Sequence, residues 1–281
     1  MTTRHVFLFL WVISWASAIF AQERRILFEE IQEQPVNLVG QWVIGGKKLA
    51  ATSNSRIALS ERIEIGSLAV VEYVEKDNLA FITQMQPLPM KAADITDGPY
   101  VNWLDATTAE VITIIQGKLK RRVIEKITQP RELDDLTPLV KTITLDPKPP
   151  VPPKSQWETP ERLLAISDLE GNYLHVLRFL QNNDVLDDDG HWDWGKGHLV
   201  LVGDLIDRGP SVSEVMWLVR QLEREAEAAG GRVHYVLGNH EAMVMGGDLR
   251  YIHPKYHFTS TRIGKPYDQL HGPNSEIGRW W

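Results

Sequence analysis

Three short clusters in the second half of the chain hold the residues best suited to chemistry. They are Asp168-Leu169-Glu170-Gly171-Asn172, Gly203-Asp204-Leu205-Ile206-Asp207-Arg208-Gly209 and Gly238-Asn239-His240-Glu241. Together they supply carboxylates, an amide oxygen, an imidazole and a guanidinium, with glycines that permit tight turns. Carboxylate and amide oxygens suit hard ions such as Mn²⁺, Mg²⁺ or Fe, and one carboxylate can bridge two metals. Arginine presents a fork of donors that matches phosphate oxygens. Two metals can hold a nucleophilic hydroxide and stabilise both ends of an in-line displacement, and a histidine beside an aspartate can protonate a leaving alkoxide. Taken singly, such residues are more often turn and cap residues; the set carries the argument.

Each cluster follows an apolar run that reads as a strand: Arg162–Ser167, His198–Gly203 and Arg232–Leu237. Between them, Tyr173–Asn183 and Ser211–Ala229 have helical spacing, with Ser211 or Ser213 as cap and Gly230-Gly231 as stop. Strand, helix, strand, helix, strand is the order of an α/β domain. Parallel strands would bring the three clusters to one sheet edge, where α/β proteins hold ligands.

The strings GDLIDRG and GNHE, following a D-x-x-G-N cluster, resemble the signature blocks of calcineurin-like metallophosphoesterases, nearest to the serine/threonine protein phosphatases and their bacterial relatives. The likeness covers Leu163 to about Ala242. It implies a metallophosphoesterase-type sheet with flanking helices and two divalent metal ions, drawn from Mn, Fe, Zn or Mg. It implies Asp168 on the first metal, Asp204 bridging both and Asn239 on the second. It also implies His240 as proton donor oriented by Asp207, and Arg208 on the phosphate. Glu170 stands where the family's first block has histidine. Alternate residues of an extended segment face the same way, so Glu170 is read as a metal ligand or as a group just behind the ligands. The family's two later histidine blocks are not visible after Met243, and the chain closes on SEIGRWW, which reads as the first turns of a helix ending in exposed aromatics. The phosphoesterase domain, 161–281, is therefore expected to be incomplete at its C-terminal side.

Upstream the pattern differs. Val36–Ile44, Lys47–Thr52, Arg56–Leu59 and Ser67–Glu75 alternate like strands, with Gly45-Gly46 and Asn54-Ser55 as turns, and Val111–Ile115 and Lys120–Ile127 add strands or a short helix. Residues 22–145 are read as a small β-rich domain, a barrel or sandwich, with no catalytic constellation. Asp146 to Pro160, DPKPPVPPKSQWETP, is a stiff proline-rich connector. Arg4 and His5, the apolar run Val6–Phe20 and the small residues Ala16-Ser17-Ala18 and Ala21 form a secretory signal peptide over residues 1–21. That implies a secreted or periplasmic protein with no stable membrane anchor, since the run is shorter than the ~20 residues a span needs.

The 281 residues are 43% hydrophobic and 24% charged, an ordinary globular balance. A net charge of −7 gives no general attraction to nucleic acid, and the absence of cysteine removes disulfides and thiolate chemistry. His253 and His257 are spaced for a helical metal pair, but Pro254 between them favours loop histidines. His271 reads as a turn residue, while His191, His198 and His234 have no evident partner, and Glu223–Glu227 reads as a solvated helix face. The sequence thus points to a metal-dependent phosphoesterase acting on phosphate monoesters, with phosphoproteins favoured by the resemblance. Two alternatives stay open. One is a degenerate phosphoesterase that binds metal or phosphate without turnover, and the other a binding module working through its N-terminal β region.

Overall fold

The computed structural model describes residues 25–58 and 63–281. The signal peptide expected over 1–21 and the end of the strand expected to reach Leu59 lie outside them. The first unit is built from β1 (Arg25–Glu33), β2 (Gly40–Ile44), β3 (Lys47–Ala51), β4 (Arg56–Ile57), β5 (Ser67–Lys76) and β6 (Leu79–Lys91). They form one sheet in the order β3-β2-β1-β5-β6-β4, and an added β3–β6 pairing at Ala50 and Phe81 closes it on itself. Period-two alternation sends Ile31, Trp42, Leu49, Val71, Ile82 and Met85 into a common interior. Of the two forms expected, barrel or sandwich, this is barrel-like, with a core of its own.

Next come β7 (Asp97–Trp103), β8 (Ala109–Ile115) and β9 (Lys118–Ile124), an antiparallel sheet, and the pair β10 (Arg131–Leu133) and β11 (Ile143–Leu145). Past the connector lie β12 (Leu163–Ile166), α1 (Tyr173–Asn182), β13 (His198–Val202), α2 (Val212–Ala228) and β14 (Arg232–Val236). β12, β13 and β14 are parallel neighbours in that order, with Leu163, His198 and Arg232 in register. The chain then runs through α3 (Asn239–Met245), α4 (Pro254–Ile263), α5 (Tyr267–Leu270) and α6 (Glu276–Trp280).

Helix α2 forms where the spacing predicts it. Val212, Val215, Val219, Leu222 and Ala226 line its buried side at intervals of three and four residues, and it stops before Gly230, whose φ is +80°. Ser211 stands at the N-cap without a side-chain capping bond; Ser213, inside the helix, donates instead to Asp97 Oδ1 at 3.0 Å. The same aspartate accepts from Tyr100 Oη at 2.9 Å and Thr259 Oγ1 at 2.7 Å, and Trp217 Nε1 donates to the Pro99 carbonyl at 2.8 Å. One buried apolar cluster, including Ile112, Ile114, Leu201, Trp217 and Tyr256, therefore runs from β7–β9 into the α/β region across the proline-rich connector. The barrel's core is separate, but the β7–β9 sheet packs as part of the second unit.

Three local expectations are corrected. Pro254 starts α4 rather than disrupting it: proline fits the first helical position, where its missing N–H has no helical partner. His253 is the cap, its Nδ1 accepting the Lys255 N–H at 3.2 Å. The terminal tryptophans are half-buried rather than exposed: Trp280 Nε1 donates to Glu223 at 3.0 Å, and the Trp281 ring stacks on His271 at 5.3 Å. The Glu223–Glu227 face is correspondingly bonded, since Glu225 also accepts from the Trp192 N–H at 2.8 Å and lies 2.7 Å from His191 Nδ1.

Candidate active site

The three clusters meet at the carboxyl ends of β12, β13 and β14, stitched together by backbone hydrogen bonds. The Asp168 N–H donates to the Gly203 carbonyl at 3.3 Å, Glu170 N–H to Asp204 at 2.9 Å, and Gly171 N–H to Leu205 at 2.8 Å. These loops need unusual backbone angles. Asp168, Glu170, Asp204, Asp207 and Arg208 all have φ between +46° and +70°. Left-handed non-glycine residues carry strain and concentrate at functional sites. Gly203 and Gly238 cross so closely that a Cβ on Gly203 would run into the Gly238 backbone, which explains the glycines ahead of the second and third clusters.

The centre of the site is a histidine held on both sides. His240 Nδ1 lies 2.7 Å from Asp207 Oδ2, and the two side chains are 4% and 0% exposed. Burial pushes the Asp207 carboxyl above its usual range, against the downward pull of the His240 hydrogen bond. On the far side of the ring, His240 Nε2 is 3.3 Å from Arg208 Nη2. Arg208 also pairs with the Glu170 carboxylate. The structure thus places Glu170 against the phosphate-binding arginine expected from the sequence. The His240 N–H donates to Asp204 Oδ1 at 3.0 Å, so the central aspartate is tied to the third cluster.

The donor chemistry for a metal is present in part. Asp168 and Asn239 are exposed, and the loops that carry them are bonded to the loop of Asp204. Two carboxylates and an amide oxygen make a set that fits a hard divalent ion. Among the described residues no three His, Cys, Asp or Glu side chains converge as a ready metal cluster; Asp168, Asp204 and Asn239 are the oxygen donors that the three clusters offer.

Two supporting residues were not singled out from the sequence. Glu241, fully buried, accepts from three backbone N–H groups: Asp204 at 2.9 Å, Leu205 at 2.8 Å and Gly238 at 2.7 Å. Its signal was legible, because a glutamate three residues beyond a helix cap reaches back to the cap N–H. Tyr251 has no such signal. Its carbonyl accepts the Arg208 N–H at 2.9 Å, and its ring meets His240 edge-on at 5.3 Å.

Residues 161–279 match the calcineurin-like phosphoesterase family. Among curated proteins, the chain is 37% identical over 102 residues to Shewanella-like protein phosphatase 2 of Arabidopsis thaliana, covering 36% of this chain and 26% of that protein. It is 28% identical over 94 residues to Shewanella-like protein phosphatase 1 of Plasmodium berghei, covering 34% and 26%. The chain therefore spans about a quarter of the length of these relatives. Among solved structures it is similar to a cold-active protein tyrosine phosphatase, with a TM-score of 0.60 at 37% identity over 66% of this chain and 54% of that one. A cold-active protein-tyrosine phosphatase of a psychrophilic Shewanella species gives 0.52 at 36% identity, covering 66% and 56%. A match over 66% of the chain is longer than residues 161–279 supply, so it reaches into the strands before the connector, in keeping with their shared core. By its three clusters, its parallel sheet and these likenesses, the region 161–279 is a calcineurin-like phosphoesterase domain of metallophosphoesterase fold.

Proposed function

We propose that this chain hydrolyses phosphate monoesters with the help of divalent metal, and that phosphoproteins are its substrate class. The observation that carries the reading is the Asp207–His240–Arg208 line, with a buried carboxylate on one ring nitrogen and a guanidinium beside the other. Asp207 holds Nδ1 and fixes the ring; Nε2, which faces the Arg208 donor, is the nitrogen that would carry a proton towards a leaving oxygen once Arg208 turns to the phosphate. Arg208 sits where its fork can grip phosphoryl oxygens, releasing Glu170 to do so. Metal held by Asp168, Asp204 and Asn239 would supply charge stabilisation and an activated water. The relatives' names, protein phosphatases, support a phosphoprotein substrate. We extend the proposal to export into the periplasm or medium on the strength of residues 1–21; among the described residues no helix is long and apolar enough to cross a membrane.

The test compares alkyl and aryl phosphate hydrolysis at saturating Mn²⁺. His240→Ala is expected to slow the alkyl ester by about 10²–10⁴-fold and the aryl ester far less, because only the alkoxide needs a proton to leave. Equal loss on both esters, or none, overturns the assignment. A second reading, binding without turnover, draws on the Glu170–Arg208 ion pair, which occupies the phosphate-gripping arginine. Saturable inorganic phosphate binding with no hydrolysis of either ester would favour it.

A further inference from the structure

Beside the catalytic loops lies a cavity of about 360 Å³ that the phosphoesterase reading leaves unused. Ile95, Pro138, Leu139 and Pro210 contribute apolar walls, and Asp94, Glu214, His253 and Lys255 contribute the polar ones. Its volume is in the range of small-ligand pockets, roughly 300–1,000 Å³. Pro210 is two residues from Arg208 and His253 two from Tyr251, so each is at most roughly 7 Å along the chain from a residue touching His240. Two of its lining residues are thus close chain neighbours of residues at the site.

Its charge is unbalanced. Lys255 is committed to the fold: Nζ lies 3.2 Å from Asp97 Oδ1 and donates to the Thr96 carbonyl at 3.2 Å. Glu214, in the first turn of α2 and 4% exposed, faces that ammonium only at a long 3.9 Å through Oε1. Its other oxygen, Oε2, is buried with no hydrogen-bond partner. Buried carboxylate oxygens are almost always paired, because leaving one unpaired costs free energy. Asp94 adds an exposed carboxylate among the lining residues. His253 adds no positive charge near neutral pH, since burial and the neighbouring Lys255 push it down to about 4. One ammonium is thus shared by two carboxylates, of Asp97 at 3.2 Å and Glu214 at 3.9 Å. A cavity with apolar walls, lined by a glutamate one of whose oxygens lacks a hydrogen-bond partner, suits a cation on an aliphatic stem once the Glu214 side chain turns that oxygen inward. An anion would have to compete with Asp97 for Lys255.

We propose that this cavity takes the ammonium or guanidinium of a lysine or arginine in a phosphorylated peptide, with Glu214 as its counter-charge; the substrate part rests on the phosphoesterase reading above. Because Pro210, in its wall, lies two residues from Arg208, the basic residue is expected within a few positions of the phosphorylated one. Burial raises the Glu214 carboxyl to about 7, against the downward pull of Lys255, and a cation beside it would favour the ionised form. Glu214, Pro138 and Leu139 also line a groove of about 550 Å³ running along α1 and α2, so a peptide lying there would pass the same carboxylate.

Two arms test this on the full chain. In the first, Nα-acetyl-lysine amide, Nα-acetyl-arginine amide and Nα-acetyl-norleucine amide are titrated while backbone amide NMR shifts are followed. The two basic compounds should shift the Glu214 and Leu139 amides and the norleucine compound should not. Glu214→Gln should weaken binding about tenfold, the scale of one charge-assisted hydrogen bond. Leu139 is exposed, so Leu139→Arg leaves the core alone and should compete for Glu214, blocking the probes even if Glu214→Gln misfolds. Equal response to all three compounds, or undiminished binding in Leu139→Arg, overturns the pocket. In the second arm, a phosphopeptide with lysine two residues from the phosphate should show about tenfold higher kcat/KM than its norleucine twin. Glu214→Gln should erase that ratio while leaving para-nitrophenyl phosphate turnover unchanged. Absence of para-nitrophenyl phosphate turnover would sink the phosphoesterase reading, while the first arm still decides the pocket. Equal kcat/KM on the two peptides, with para-nitrophenyl phosphate turned over, would sink the substrate assignment.

Discussion

The Leu205 N–H donates to Glu241 Oε1 at 2.8 Å, joining the loop after β13 to the helix that follows β14. The other carboxylate oxygen takes the Asp204 and Gly238 N–H groups. A single buried side chain thus sets how the second and third clusters face each other. Glu241→Gln keeps one oxygen acceptor and replaces the other with a donor, so at least one N–H loses its partner. A loss of about 1–3 kcal/mol in urea unfolding is expected, with a larger loss for Glu241→Ala. Unchanged unfolding in both variants would remove the bracing role.

Asp207 and Arg208 should separate in kinetics. Asp207→Asn leaves an amide beside His240 Nδ1 and weakens the charge that supports a protonated ring. It is expected to reproduce a milder form of the His240→Ala pattern, with alkyl esters slowed more than aryl esters. Arg208→Ala removes a grip on oxygens common to both ester classes, so both should slow alike. Identical alkyl-to-aryl ratios in the two variants would contradict these roles.

Buried Asp97 joins the β7–β9 sheet to the α/β region through Tyr100, Ser213, Thr259 and Lys255. Asp97→Ala would strand the Lys255 ammonium, 8% exposed at its side chain, without its nearest carboxylate. Breaking a buried pair from one side costs about 3–5 kcal/mol. The expected result is a large drop in the unfolding midpoint, seen at the same denaturant concentration by Trp103 in β7 and by Trp217 in α2. Separate transitions at the two tryptophans would show that the regions unfold independently.

His271 should set part of the acid limit of stability. Its ring is buried, stacked on Trp281, with neither nitrogen hydrogen-bonded, and burial lowers it to about 4. The unfolded chain takes up a proton near the ordinary value of about 6.5 while the folded chain does not. Stability from this group is therefore fully present above about 6.5 and declines as pH falls towards 4, by on the order of 3 kcal/mol. His271→Leu should flatten that limb in denaturant melts taken from pH 7 to pH 4. An unchanged slope would assign the acid limb to other groups.

The sequence by itself determined the α/β order and the three strand-end clusters. Both follow from local pattern: apolar runs with polar ends and helical spacing over 211–229. The pairing of Asp207 with His240 was implied only by the family resemblance, and the contact of His240 with Arg208, 32 residues away, belongs to the fold. The tertiary structure decided the rest. Glu170 could face a metal or a side chain, and its meeting with Arg208 depends on how two loops are stitched together. His191 finds Glu225 across 34 residues and Trp103 finds Glu276 across 173, at separations where no periodicity carries information. The proline-rich connector reads as a boundary because proline stops helices and strands. Proline has no bearing on whether cores on either side merge, and the β7–β9 sheet packs into the phosphoesterase core through Asp97 and Trp217. Burial, which leaves Glu214 Oε2 without a hydrogen-bond partner, is likewise a property of the assembled chain.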